Sequence, residues 1–270
     1  MTLTLYQIDA FTDRVFGGNP AAVCPVDEWP DAAVMQAMAM ENNLSETVFY
    51  RARPDGDFDI RYFTPKAELD LAGHPTLATA HLVLEMLQPD RPAATFHTHF
   101  GETLTVTRRG GALAMDFPAR PPVDWTPNRD LADILGVEPE LAAANPRGGL
   151  VLLRDEAAVR AVRPDLAGLM ALDRELLIVT APGSGTDCDF VSRVFAPQHG
   201  VYEDPVTGSA HCALIPFWAD RLGKDVLLAR QVSARGGVLY CRALGEGEAG
   251  ARVEIAGRCA PYMVGQVTLP

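Results

Sequence analysis

The sequence predicts an α/β (α+β) chain made of two similar halves, and three observations lead there. First, Arg61-Tyr62-Phe63-Thr64-Pro65 is echoed by Arg193-Val194-Phe195-Ala196-Pro197. Second, each copy runs into an apolar helix with a small-residue entrance. Ala72-Gly73-His74-Pro75-Thr76 precedes Leu77 to Leu84, and Asp204-Pro205-Val206-Thr207-Gly208-Ser209-Ala210-His211 precedes Cys212 to Trp218. Third, the later copy has three extra residues before its glycine, so Gly73 aligns with Gly208 and His74 with Ser209. This is the pattern of a duplicated strand–loop–helix unit. The entrance of such a helix offers unpaired N–H groups and the positive end of the dipole to an anion. Gly208 would let the backbone approach a ligand closely.

The remaining elements follow in order. Thr2 to Phe11 alternates as a strand, Gly17-Gly18-Asn19-Pro20 reads as a turn, and Ala21 to Val26 as a short buried strand. Asp31 offers a cap to a helix running to Met40, with Val34, Met35 and Met38 on one face and an end near Asn42-Asn43. Thr47 to Tyr50 reads as a strand, which places Glu46 at a strand mouth just after a helix. A carboxylate so placed can be desolvated and transfer protons, although position alone fits a surface glutamate more simply. Asp57 to Phe63 pairs with that strand through Pro54-Asp55-Gly56. Ala94–His99 and Glu102–Thr107 form a hairpin at Phe100-Gly101, and Ala112–Phe117 completes a meander. His97 and His99 share a strand face, but no nearby Cys or His completes a metal site, so no metal is expected.

The proline cluster Pro118-Ala119-Arg120-Pro121-Pro122 marks a boundary, giving domains over residues 1–118 and 119–261. The last strand, about 262–270, is a candidate to return to the first. The second half restarts with a helix at Asp130–Leu135 and a strand at Gly149–Arg154. Helices follow at Asp155–Arg163 and Leu166–Met170, then strands at Leu176–Thr180 and Asp189–Phe195. Past the second glycine-led helix it is β-rich.

Net charge is −12 over 270 residues, which argues against a nucleic-acid groove and an anionic membrane surface as partners. A local N–H pocket can still hold a small anion. No apolar run reaches the length of a membrane span and the first residues lack a signal-peptide pattern. Five scattered cysteines with no C-x-x-C pair suit buried, reduced thiols in a cytoplasmic protein.

Four motifs taken together resemble the phenazine-biosynthesis PhzF-like family over essentially the whole chain. They are Asp9-Ala10-Phe11-Thr12 with Gly18-Asn19-Pro20-Ala21-Ala22-Val23, Asn43-Leu44-Ser45-Glu46-Thr47, the Arg61–Pro65 and Ala72–Thr76 pair, and Glu203 to Ala210. The resemblance implies a diaminopimelate epimerase-like fold: two similar domains, each a curled mixed sheet around a central helix (75–87 and 209–222), with the active site in the cleft between. It implies Glu46 as the general acid/base, with His74, Asp204 and Ser209 around it and Gly73 and Gly208 contributing N–H groups to a substrate carboxylate. It implies proton transfer without a cofactor, a small-molecule carboxylate substrate, and a homodimer. His74 and Ser209 can also be read as helix caps. The two-cysteine epimerases of this fold place a thiol at each helix entrance. Here those positions are Gly73 and Gly208, and Cys212 lies one turn further in, which favours a single carboxylate. One departure stands out: Val232 follows Gln231 where the family often has glycine, so the loop to Arg235-Gly236-Gly237 is expected to differ.

The activity so implied is a cofactor-independent isomerisation similar to that of trans-2,3-dihydro-3-hydroxyanthranilate isomerase. Two alternatives are an epimerase using Glu46 with Asp204, and a non-catalytic small-ligand-binding protein on the same fold.

Overall fold

The computed structural model describes residues 2–185, 187–247 and 250–269. The chain divides into two units, Met1–Asp116 with Ala256–Pro270, and Phe117–Ile255.

In the first unit, β1 (Thr2–Ala10) pairs antiparallel with β2 (Asn19–Pro25). Helix α1 (Ala32–Asn42) leads to β3 (Glu46–Ala52), parallel to β2 with Glu46 opposite Ala21. Next come β4 (Phe58–Phe63), antiparallel to β3, and the short β5 (Glu68–Leu69). Helix α2 (Gly73–His81) then crosses to β6 (Ala93–Thr98), which runs parallel to β4, before β7 (Thr103–Arg109) and β8 (Ala112–Pro118).

Helix α2 is buried from His74 through Ala80. Its hydroxyls therefore bond back to its own carbonyls: Thr76 Oγ1 to Ala72 O at 2.6 Å and Thr79 Oγ1 to Pro75 O at 2.8 Å. The sequence predicts one regular helix to residue 87, but Leu82–Leu87 widens to π-helical bonding, with the Gln88 N–H reaching Val83 O at 2.7 Å. Asp31 stands at the start of α1 as expected but makes no side-chain cap. Its main-chain carbonyl accepts from Val34 and Met35 instead.

In the second unit, β9 (Val123–Asp124), α3 (Leu131–Leu135), β10 (Leu141–Asn145) and β11 (Gly148–Leu152) come first. Helices α4 (Glu156–Ala161) and α5 (Leu166–Met170) precede β12 (Leu177–Pro182), parallel to β11, and β13 (Phe190–Ala196). Strand β14 (Val201–Asp204) pairs back on β13. A single 3-10 turn, Gly208–Ala210, opens α6 (His211–Leu222). Strands β15 (Val226–Gln231), β16 (Gly237–Gly247) and β17 (Gly250–Gly257) follow, with β15 parallel to β13. The chain ends in β18 (Cys259–Thr268), antiparallel to β1 from Ala10↔Cys259 to Thr2↔Thr268. Strand β10 runs against local propensity: Leu-Ala-Ala-Ala-Asn favours a helix, and pairing with β11 overrides it.

The duplicated Arg-x-Phe-x-Pro motif has a physical reason. Arg61 lies over the Phe63 ring at 5.3 Å and grips Glu68 with two bonds of 2.7 and 2.8 Å. Arg193 lies over the Phe195 ring at 5.0 Å and grips Glu203 with bonds of 2.7 and 3.0 Å. Each glutamate stands five positions before its glycine, 68 to 73 and 203 to 208. The three extra residues of the second copy therefore lie between arginine and glutamate, where Pro197–His199 forms a 3-10 turn.

Arg193 carries a further load, since its Nη1 also donates to Val159 O at 3.1 Å and Val162 O at 2.8 Å. Breaking a mostly buried pair from one side costs about 3–5 kcal/mol. Arg193→Ala is expected in that range and Arg61→Ala below it, by urea unfolding with unchanged m-values.

Candidate active site

The first unit gathers a polar cluster at the mouth of β3. Helix α1 ends with Asn43 in a left-handed conformation, its N–H bonded to Ala39 O, and Asn42 Nδ2 reaches Thr47 Oγ1 at 2.9 Å. Those two bonds turn the chain from helix into strand and fix Glu46 as the first residue of β3. Opposite it, at the start of α2, stands His74. Glu46 Oε2 and His74 Nε2 lie 3.0 Å apart, with the side chains only 13% and 7% exposed. The pair is at ion-pair distance but off the line of a straight hydrogen bond. The ring is not a helix cap: Ala72 holds the cap position, and no side chain caps it.

Behind this pair lies a second layer. Asn19 is completely buried, with Nδ2 at 3.3 Å from His74 Nδ1 and Oδ1 accepting from Ser45 Oγ at 3.1 Å. Gly18 is what admits Asn19 to this place. It has φ +60°, and a Cβ there would stand 2.0 Å from Ala10 O. The sequence predicts a turn through Asn19 and Pro20, but both belong to β2.

The second unit presents the loop from Asp204 to Ala210. The Thr207 hydroxyl donates to the Asp204 carboxylate. Gln231, 1% exposed, clips the loop from beneath. Its Oε1 accepts from the Thr207 N–H at 2.8 Å, and its Nε2 donates to Asp204 O at 2.7 Å and Thr207 Oγ1 at 3.2 Å. Ser233 adds a bond to Pro205 O at 2.7 Å. At the departure noted in the sequence, the Val232 N–H bonds Ser192 O at 2.8 Å, and its side chain packs on the core of this unit. Gly208 is buried and Ser209 exposed. Ser209 does not cap: neither the 3-10 turn nor α6 carries a side-chain cap bond.

His211, fully buried, donates from Nδ1 to Thr207 O at 2.9 Å and lies beside the Phe190 ring. Burial pushes its pKa down from 6.5 to about 4. Cys212 is buried too, and its thiol is pushed up to about 11, so it is no thiolate base. His97 binds Asp57 Oδ2 at 2.8 Å as a surface pair. Among the described residues no three His, Cys, Asp or Glu side chains gather as a metal site, and no helix is long and apolar enough to cross a membrane.

Of the expected residues, then, Glu46 and His74 meet within the first unit with Gly73 beside them, and Asp204, Gly208 and Ser209 share one loop of the second. Ser45, Thr207 and Gln231 carry no sequence signal for the contacts they make here, and Asn19 stands in the sequence only within a turn and a family motif. Gln231 did stand out, but for the residue after it.

The architecture belongs with the epimerase-like folds. A hydroxyproline epimerase from Agrobacterium vitis matches over 98% of this chain and 92% of its own with a TM-score of 0.59, at 11% identity, a likeness of fold alone. The family model "Phenazine biosynthesis-like protein" matches residues 8–265, and the chain belongs to that family. The uncharacterized isomerase PA2770 of Pseudomonas aeruginosa is 48% identical over the full length of both chains. A crystal structure of a phenazine biosynthesis protein of the PhzF family from Enterococcus faecalis is 40% identical, with full coverage of both chains and a TM-score of 0.92. With this kinship the chain stands among the isomerases.

His211 gives a pH signature. The unfolded ring takes a proton near pH 6.5 that the folded ring refuses until about pH 4. Stability is therefore lost as pH falls through that window, by on the order of 3 kcal/mol. Urea midpoints of wild type and His211→Asn at pH 7 and 4.5 check this; the variant should lose distinctly less on acidification.

Proposed function

We propose that this chain is a cofactor-independent isomerase that moves a proton on a small carboxylated metabolite bearing an amino or hydroxyl group, with Glu46 as the general acid/base. The observation that carries the reading is the Glu46 carboxylate: largely buried, at the mouth of β3, 3.0 Å from His74 Nε2. One carboxylate can take a proton from one carbon and return it to another, so the cycle closes without a net change at the enzyme. His74 orients that carboxylate. The Gly73 N–H beside the pair would face charge that develops on the substrate, and in the second unit the Gly208 N–H and the exposed Ser209 hydroxyl are donors of the kind a substrate carboxylate takes. Asp204 accepts a bond from Thr207, and an accepting carboxylate suits a grip on an amino or hydroxyl donor. The free, mostly buried cysteines fit a reducing, cytoplasmic setting.

The test is proton NMR in D2O with trans-2,3-dihydro-3-hydroxyanthranilate and a panel of small amino and hydroxy acids. Wild type is expected to give an isomerised product carrying deuterium, and Glu46→Gln to slow it by about 10²–10⁴-fold. Equal exchange by both proteins would remove Glu46 from the mechanism. Deuterium at a single carbon with loss of optical purity would point to epimerisation instead.

A further inference from the structure

Asn19 is an amide with no exposure, set in the first position of β2, and its two ends meet different groups. Oδ1 accepts from the Ser45 hydroxyl at 3.1 Å. Nδ2, which can only donate, lies 3.3 Å from His74 Nδ1. A ring nitrogen facing an amide N–H must present its lone pair. The proton of a neutral ring then sits on Nε2, and Nε2 faces Glu46 Oε2 at 3.0 Å. The other states conflict with these neighbours. A proton on Nδ1 would oppose N–H to N–H at Asn19 and leave the Nε2 lone pair against a carboxylate oxygen. A doubly protonated ring would keep the first of those conflicts.

We infer that Asn19, backed by Ser45, is a positioning residue that holds His74 as the neutral ring protonated on Nε2, the tautomer that can tie Oε2 of Glu46 once substrate draws the pair into line and so leave Oε1 to exchange protons with substrate. The inference deepens the acid/base reading and rests on it for its consequence. In the forward step the substrate C–H bond breaks, its electron pair stays on the substrate, and an O–H bond forms at Oε1. In the return step that proton passes to a second carbon. The Nε2–H bond is neither made nor broken, so the ring needs no tautomer change during turnover. A wrong histidine tautomer is costly where an imidazole serves catalysis, which is the physical reason for a buried amide behind the ring.

The test reads the ring directly. In protein labelled with ¹⁵N at its six histidines, long-range ¹H–¹⁵N correlations tell which ring nitrogen carries the proton, and His74→Gln assigns the His74 signals. Wild type should show a neutral ring protonated on Nε2. Asn19→Asp turns a donor into an acceptor at Nδ1, so the ring should carry both protons and keep them to higher pH. Ser45→Ala frees the amide to turn over, and should give mixed tautomers while the other histidine signals stay in place. With a substrate from the D2O screen, Asn19→Asp should lower kcat by about tenfold or more with little change in KM. A wild-type ring protonated on Nδ1, or His74 signals unchanged in both variants, would overturn the assignment. The ring readout needs no substrate, so it stands or falls apart from the acid/base reading that the D2O exchange tests.

Discussion

A helix buried on nearly every side can serve a site only if its entrance is held still, and in each unit an arginine–glutamate fork holds it. Arg61 and Arg193 stack on the phenylalanine two residues ahead and grip Glu68 and Glu203, which stand just before the loops into α2 and α6. A two-bond guanidinium–carboxylate fork fixes direction as well as distance. Because both forks are mostly buried, losing one partner strands a charge, which makes the loop geometry expensive to change.

On that shared frame the two copies diverge in the loops that lead into the helices. Leu69 corresponds to Asp204, Ala72 to Thr207, His74 to Ser209 and Thr76 to His211. Thr76 and His211 still perform one task, each bonding back to the carbonyl four residues earlier, Ala72 and Thr207 respectively. The others have parted. One loop brings a histidine to a glutamate on a neighbouring strand, and the other carries its own carboxylate.

Buried polar groups are costly unless satisfied, and here they are satisfied by long-range partners. Tyr62 meets Thr76 at 2.6 Å, Gln231 makes three bonds to the Asp204 loop, and Asn19 links Ser45 to His74. Such networks rigidify when complete. They give each loop one arrangement, as the proposed proton transfer would require of its reacting atoms.

The sequence alone specifies the duplication, the glycine-led helices and the place of Glu46 at a strand mouth, because these are written in local spacing: a repeated motif, a helical period, a run of strand residues. It also carried the family's motifs. The tertiary structure alone decided what those residues touch. Asn19 and His74 are 55 positions apart, Thr207 and Gln231 24. No local pattern encodes which buried amide will face which ring or loop. Strand β10 makes the same point for the backbone, since alanines that favour a helix in isolation become a strand once β11 offers its hydrogen bonds. Pairings across long stretches of chain come from closing sheets around a helix, and only the closed fold fixes them.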